Sequence, residues 1–182
     1  IEKGGYPHFM LKEIYEQPIA IRNCLRGRLA NRYTAIKFGG LFGGLESLKS
    51  TKRILFVACG TAYHAALMGK HYVEEISGIP ATVEIASEYN CKHMPIEKGT
   101  LAIAISQSGE TLDTINAVRD LKERNIKTIA ITNTVGSTLA RIVDAGIYQY
   151  AGPEVAVAST KAFTSQTTLL LMLSLFLSKN TK

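Results

Sequence analysis

Cysteine is scarce in this sequence. Its 182 residues hold three, Cys24, Cys59 and Cys91, unevenly spaced and without a C-x-x-C pair. That excludes a disulfide framework and points to a reducing, cytoplasmic setting. Long apolar runs are missing too: the longest, Leu169 to Leu177, is interrupted by Ser174 and is too short to span a bilayer. The first six residues, Ile1 to Tyr6, lack the basic-then-apolar character of a signal peptide. Neither charge sign dominates. Twenty-one Lys and Arg against fifteen Asp and Glu leave a net charge of +6. The densest basic stretch, Lys49-Ser50-Thr51-Lys52-Arg53, reads as a solvated turn before a strand and argues against a nucleic-acid partner. The common cofactor motifs fail as well. Gly69-Lys70 has no glycine at Walker A spacing and lies in a helical pattern, and no G-x-G-x-x-G follows any strand. The four histidines, His8, His64, His71 and His93, show no metal-ligand spacing with carboxylates or cysteines. No metal and no organic cofactor is expected.

What the chain does contain is alternation. Hydrophobic content of 46% and charged content of 20% are those of a soluble globular protein with one well-formed core. Phe9 to Arg28 is helical in pattern, with Phe9, Ile14, Ile19, Ile21 and Leu25 as its apolar positions. Pro18 is expected to divide it. Gly39 to Gly44 reads as a flexible turn before a short helix, Leu45 to Lys49. Five short apolar runs then read as strands: Arg53 to Ala58, Thr82 to Ala86, Leu101 to Ile105, Lys127 to Thr132 and Ala145 to Tyr150. Helical patterns separate them at Ala62 to Ser77, Ser87 to Asn90, Thr111 to Arg124 and Ser137 to Arg141, and a last helix runs from Ala158 to Leu177 or Ser178. Apolar strands alternating with helices predict an α/β fold of three layers, a five-stranded parallel sheet covered on both faces. The division expected is an N-terminal helical segment with its Gly-rich turn, 1–44, and an α/β domain, 45–182. The chain begins without Met and stops just after a helix, as a piece of a longer protein would.

In open parallel sheets, ligands bind beyond the carboxyl ends of the strands. Three small, hydroxyl-rich turns fall at that edge: Cys59-Gly60-Thr61-Ala62, Ser106-Gln107-Ser108-Gly109-Glu110-Thr111 and Val157-Ala158-Ser159-Thr160-Lys161. Each opens a helix, whose first N–H groups lack intrahelical partners and whose dipole favours an anion. The middle turn carries no Lys or Arg, so a small phosphorylated metabolite held by hydrogen bonds suits it. Cys59 reads as a small buried packing residue, Glu88 as a first-turn helix carboxylate, and Lys161 as a cation supporting a nearby carboxylate.

These three turns resemble the sugar-isomerase (SIS) domain of the glutamine–fructose-6-phosphate aminotransferase family, and Phe9 to Pro18 is similar to the stretch that leads into that family's isomerase region. The resemblance implies an SIS-type fold and an amination-isomerisation: ammonia released from glutamine in a separate glutaminase domain is delivered to fructose 6-phosphate, giving glucosamine 6-phosphate without a cofactor. It implies that Ser106, Gln107, Ser108 and Thr111 hold the sugar phosphate. Thr61, with backbone or side-chain groups of Val157, Ala158 and Ser159, would contact the sugar. Family members often carry Ser where this chain has Ala62, one neutral hydrogen bond worth about 1 kcal/mol. The family's isomerase region has two SIS halves. Its Schiff-base lysine, enolisation carboxylate and ring-opening histidine lie outside the first, so no catalytic residue is expected here. The partners implied are the glutaminase domain, the second SIS half and a second copy in a homodimer. A phosphosugar-sensing SIS domain of a transcriptional regulator is the rival reading, and a glutamine-independent phosphosugar isomerase a weaker one.

Overall fold

The structure, a computed structural model, describes residues 2–30, 35–44 and 48–180. Its centre is a parallel sheet of β3 (Arg53–Ala58), β4 (Ala81–Ile85), β5 (Thr100–Ser106), β6 (Lys127–Thr132) and β7 (Ala145–Tyr148), in the order β4-β3-β5-β6-β7. Every pairing in it is parallel; β3 lies against β5 with Ala58 opposite Ile105. The strands are apolar on both sides because both sides are covered. Ile54, Phe56, Ile103, Ile105 and Ile131 face one layer, built from α2 (Gly60–Tyr72) and α6 (Lys161–Asn180). Leu55, Val57, Ala102, Ala104 and Ala130 face the other, built from α3 (Ala86–Tyr89), α4 (Leu112–Glu123) and α5 (Thr138–Ile142). This is the three-layer α/β architecture expected, with the five strands where the apolar runs place them. A two-stranded antiparallel ribbon, β1 (Leu29–Ala30) with β2 (Ala35–Ile36), has no counterpart in the expectation.

The N-terminal third departs further. α1 (Phe9–Leu25) is one continuous helix with Pro18 inside it. Proline removes the donor that would bond the Ile14 carbonyl, and the Gln17 side-chain amide supplies one instead, donating to Ile14 O at 3.0 Å. Only part of its apolar stripe turns inward: Phe9, Ile21 and Leu25 are half-buried, and Leu25 packs on the core. Ile14 and Ile19 are exposed, while Glu13, Ala20 and Cys24 are buried. Small side chains let α1 lie close along the start of α6, where Cys24 Sγ donates to Ser165 O at 3.7 Å. Burial raises the Cys24 thiol to about 11, against the opposing pull of Arg28, so it stays neutral. Arg28 is itself buried, its guanidinium donating to the Tyr148 carbonyl at 2.5 Å and lying over the Tyr150 ring at 5.3 Å.

Gly39 to Gly44 forms a 3-10 helix rather than a flexible turn. It packs so closely on β7 that a Cβ on Gly40 would sit 2.1 Å from the Gly146 carbonyl oxygen. The short helix expected from Leu45 falls mainly outside the described residues. Cys24, Phe38 and Leu41 share one apolar core with Ile54, Phe56 and Leu173. The last helix starts at Lys161, three residues later than the pattern indicates. Among the described residues, no helix is long and apolar enough to cross a membrane.

Candidate binding cleft

From β3 the chain crosses to β4 on one side and then returns to β5 on the other. The topological switch point therefore lies between β3 and β5, and the crevice beyond their carboxyl ends is where such sheets take ligands. A cavity of about 170 Å³ opens there, lined by Cys59, Thr61, Ala62, Ile105, Ser106, Gln107, Ser108, Thr111, Ser159 and Gln166. Three strand-to-helix turns meet in it. Among the described residues, no lysine, arginine, aspartate or glutamate lines the wall, so an anion would be held by neutral donors. A larger open cavity, about 810 Å³, lies beyond β6 and β7, lined in part by Arg26, Asn133, Tyr150 and Gly152. It contains none of the three turns and lies away from the switch point.

Two helices open onto the smaller cavity without a side-chain cap. Cys59 stands at the N-cap of α2 and Thr111 at that of α4, and neither side chain bonds the helix it precedes. The first-turn N–H groups of both helices are left to a ligand or to solvent. By contrast α5, away from the cleft, is capped by Ser137, whose Oγ accepts from the Ala140 amide at 3.4 Å. At the start of α6 the Glu154 carboxylate accepts from the Thr160 amide at 2.8 Å and the Ala162 amide at 3.2 Å.

The middle turn is pre-shaped. Ser106 is buried, and its Oγ accepts from the Gly109 amide at 3.0 Å while lying 3.0 Å from Thr111 Oγ1. Ser108 Oγ accepts from the Glu110 amide at 3.1 Å. Ser108 keeps its proton to donate, and the Ser106–Thr111 pair, with one proton in their mutual bond, keeps one more. The neighbouring β6–α5 loop fixes the turn from behind. The Asn133 amide donates to Gln107 O and the Leu139 amide to Gly109 O, both at 3.0 Å. Gly109 has φ +70°, and a Cβ there would meet Ser137 Oγ at 2.1 Å, so glycine is needed for both conformation and space. The Glu110 carboxylate accepts from the Thr138 amide at 2.8 Å, which holds its pKa below the usual carboxylate value and directs its charge to α5.

Of the residues expected to bind, Thr61, Ser106, Gln107, Ser108, Thr111 and Ser159 come together in this lining. Val157 and Ala158 do not line it: both are exposed, Val157 at 107% of its reference area. The reason is the course of residues 154–160, which is tertiary rather than helical. The buried Glu13 carboxylate of α1 accepts from the Val155 amide at 2.7 Å and the Ala156 amide at 3.2 Å. Glu154 in turn accepts from Ser159 Oγ at 3.0 Å. Lys161 pairs with Glu16 Oε2 at 2.5 Å and supports this join instead of reaching the cleft. Cys59 lines the cavity and is only half-buried, not the enclosed packing residue expected. Ala62 also lines it. Sequence reasoning missed Glu13, Glu154 and Gln166. No motif marks them, because their roles depend on contacts between α1, the 154–160 segment and α6.

A family model of the SIS domain matches residues 47–175. The chain is 48% identical over 179 residues to the glutamine–fructose-6-phosphate aminotransferase [isomerizing] of Chlorobaculum tepidum, covering 98% of this chain and 29% of that protein. It is 49% identical over 179 residues to the enzyme so named from Clostridium acetobutylicum, again with 98% and 29% covered. Among solved structures, the C-terminal domain of glucosamine-fructose-6-phosphate aminotransferase from Francisella tularensis superimposes with a TM-score of 0.93 at 40% identity, covering 100% of this chain and 50% of that one. The chain thus spans less than a third of the length of these curated relatives.

Proposed function

The chain belongs to the SIS-domain family, and from that premise we propose that it is the fructose 6-phosphate-binding first SIS half of a glutamine–fructose-6-phosphate aminotransferase. The parent protein converts fructose 6-phosphate and glutamine to glucosamine 6-phosphate and glutamate, acting in the cytoplasm as a homodimer. The observation that carries the reading is the cleft at the switch point. Two uncapped helix N-termini and the hydroxyls of Thr61, Ser106, Ser108 and Thr111 converge there beside Ser159, whose own proton goes to Glu154, and among the described residues no charged side chain lines the space. Such a site suits a phosphate ester. Orphan N–H groups and hydroxyls donate to its oxygens, and the helix dipoles favour its charge.

In this reading Ser106, Gln107, Ser108 and Thr111 hold the phosphate, and Thr61 and Ser159 reach toward the sugar. Val157 and Ala158 make no side-chain wall here and are assigned no more than approach to the ligand through the backbone beside Ser159. In this reading the proton transfers of the isomerisation fall to groups outside this chain. Identity of 48–49% to aminotransferases supports this assignment over a regulator's sensing domain.

The test uses glutamine labelled with 15N at its amide. The parent protein passes the label into glucosamine 6-phosphate, while the 182-residue chain alone binds fructose 6-phosphate weakly and gives no product. Product that forms without the label would support a glutamine-independent isomerase instead. Turnover of fructose 6-phosphate and ammonia by this chain alone would overturn the division of labour.

A further inference from the structure

The inner face of α6 changes character along its length. Leu169, Leu170, Leu173 and Leu177 are fully buried in the apolar core, and Ala162 at the helix start is fully buried too. Between them, Ser165 and Gln166 are also buried, at 0% and 1% exposure. Polar side chains on a buried stripe need partners. The side-chain carbonyl Oε1 of Gln166 is buried and accepts no hydrogen bond from any of the described residues. Gln166 also belongs to the lining of the switch-point cavity, together with Ser106 and Thr111 of the middle turn. Burying an amide oxygen unpaired forfeits its hydration without return. Fill the cleft with a ligand that has a donor at that point, and the loss is made good.

We propose that Gln166 is a specificity-determining residue of this cleft, its buried Oε1 accepting a hydrogen bond from a hydroxyl of the sugar portion of the ligand. The inference rests on the cleft being a sugar-phosphate site and names the wall that reads the sugar. Donor and acceptor chemistry divides the walls. The turn offers hydroxyl and amide donors, which match phosphate oxygens. A phosphate dianion has no proton to give, so an amide oxygen facing it would go unsatisfied, whereas a sugar hydroxyl donates to it readily. A cleft built this way rejects ligands that lack the hydroxyl, because a polar group of the site is then left buried and unpaired.

Calorimetric titration of the wild-type chain and of Gln166→Met, each with fructose 6-phosphate and with inorganic phosphate, tests this. Methionine keeps length and bulk while removing the acceptor. The expected result is a loss of about tenfold or more in fructose 6-phosphate affinity, the scale of one well-made hydrogen bond, with phosphate affinity unchanged. Should Gln166→Met not fold, the side-chain amide resonance of Gln166 in the 15N-labelled wild-type chain gives the answer. It shifts on adding fructose 6-phosphate and stays put on adding inorganic phosphate. Equal weakening of both ligands by Gln166→Met, no weakening of either, or an unmoved amide resonance overturns the assignment of Gln166 and leaves the cleft assignment standing. A wild-type chain that binds neither ligand removes the cleft assignment, and this one with it.

Discussion

Replacing Gly109 with alanine strikes the middle turn in two separable ways. At φ +70° an L residue is in the left-handed region, which costs about 1–2 kcal/mol. The new Cβ would also stand 2.1 Å from Ser137 Oγ, 2.6 Å from Ser137 Cβ and 2.9 Å from Thr132 Oγ1. Ser137 and Thr132 are buried, and Ser137 caps α5, so neither can swing freely aside. Overpacking of that kind costs about 1–3 kcal/mol. Against this, alanine narrows the unfolded ensemble and returns about 0.4–1 kcal/mol. The net expectation for Gly109→Ala is a destabilisation of about 1–4.5 kcal/mol. It comes with weaker hexose-phosphate binding, because the amide that fixes Ser106 Oγ moves. Urea unfolding followed by circular dichroism measures the first effect and calorimetric titration the second. The double variant Gly109→Ala/Ser137→Gly separates the two causes. Removing the Ser137 side chain opens the space and, at an N-cap, costs a few tenths of a kcal/mol, so the double variant recovers the packing part and keeps the conformational part. A Gly109→Ala chain as stable as wild type and binding equally well would refute the claim that the turn is shaped by close approach to the β6–α5 loop. A double variant no more stable than the single one would refute the steric half alone.

Glu154→Gln should lower stability by about 0.5–2 kcal/mol. It removes the negative charge that receives the first amides of α6, and with it the hold on Ser159; equal stability, read by thermal unfolding, would show that the 154–160 segment is fixed by Glu13 alone. Asp144 bears on acid stability. Partial burial pushes its carboxyl up, but the hydrogen bonds from Lys122 and from the Thr128 amide and hydroxyl outweigh that, so its folded pKa lies below the ordinary value. A carboxylate lowered by folding contributes stability above its unfolded pKa and loses it as pH falls through the folded value. Asp144→Asn should therefore flatten the stability loss below about pH 4 and cost about 1 kcal/mol at neutral pH, a figure kept small because solvent reaches this pair. Superimposable stability-against-pH curves for the two chains would count against the account.

The sheet was legible because its strands are buried on both faces and so read as unbroken apolar runs, such as Leu101 to Ile105. The middle turn was legible for a similar reason: Ser106 to Thr111 joins a strand to a helix, and its small residues can do little there but turn and donate. The N-terminal third hid its contacts. Ile14 and Ile19 of α1 stay exposed, while the fully buried positions are Glu13, Ala20 and Cys24, polar or small side chains that give a weak hydrophobic signal. Pro18 misled because the compensating donor is the side chain of Gln17, a contact that no spacing rule encodes. The third turn was half legible. Ser159 reaches the cleft, but Val157 points away, because the buried carboxylate of Glu13, far off in sequence, sets the course of residues 154–160. Gln166 was invisible in a helix whose pattern otherwise reads as plain core.

The central claim is that the turn from Ser106 to Thr111 binds a sugar's phosphate. Titration of the chain with fructose 6-phosphate and with fructose, repeated on Ser108→Ala/Thr111→Ala, tests it most directly. The account predicts that the chain binds fructose 6-phosphate and not fructose, and that the double variant loses about 1–3 kcal/mol of that binding. Equal affinity for the two sugars, or a double variant that binds fructose 6-phosphate as tightly as wild type, would contradict it and leave the turn as no more than the start of a helix.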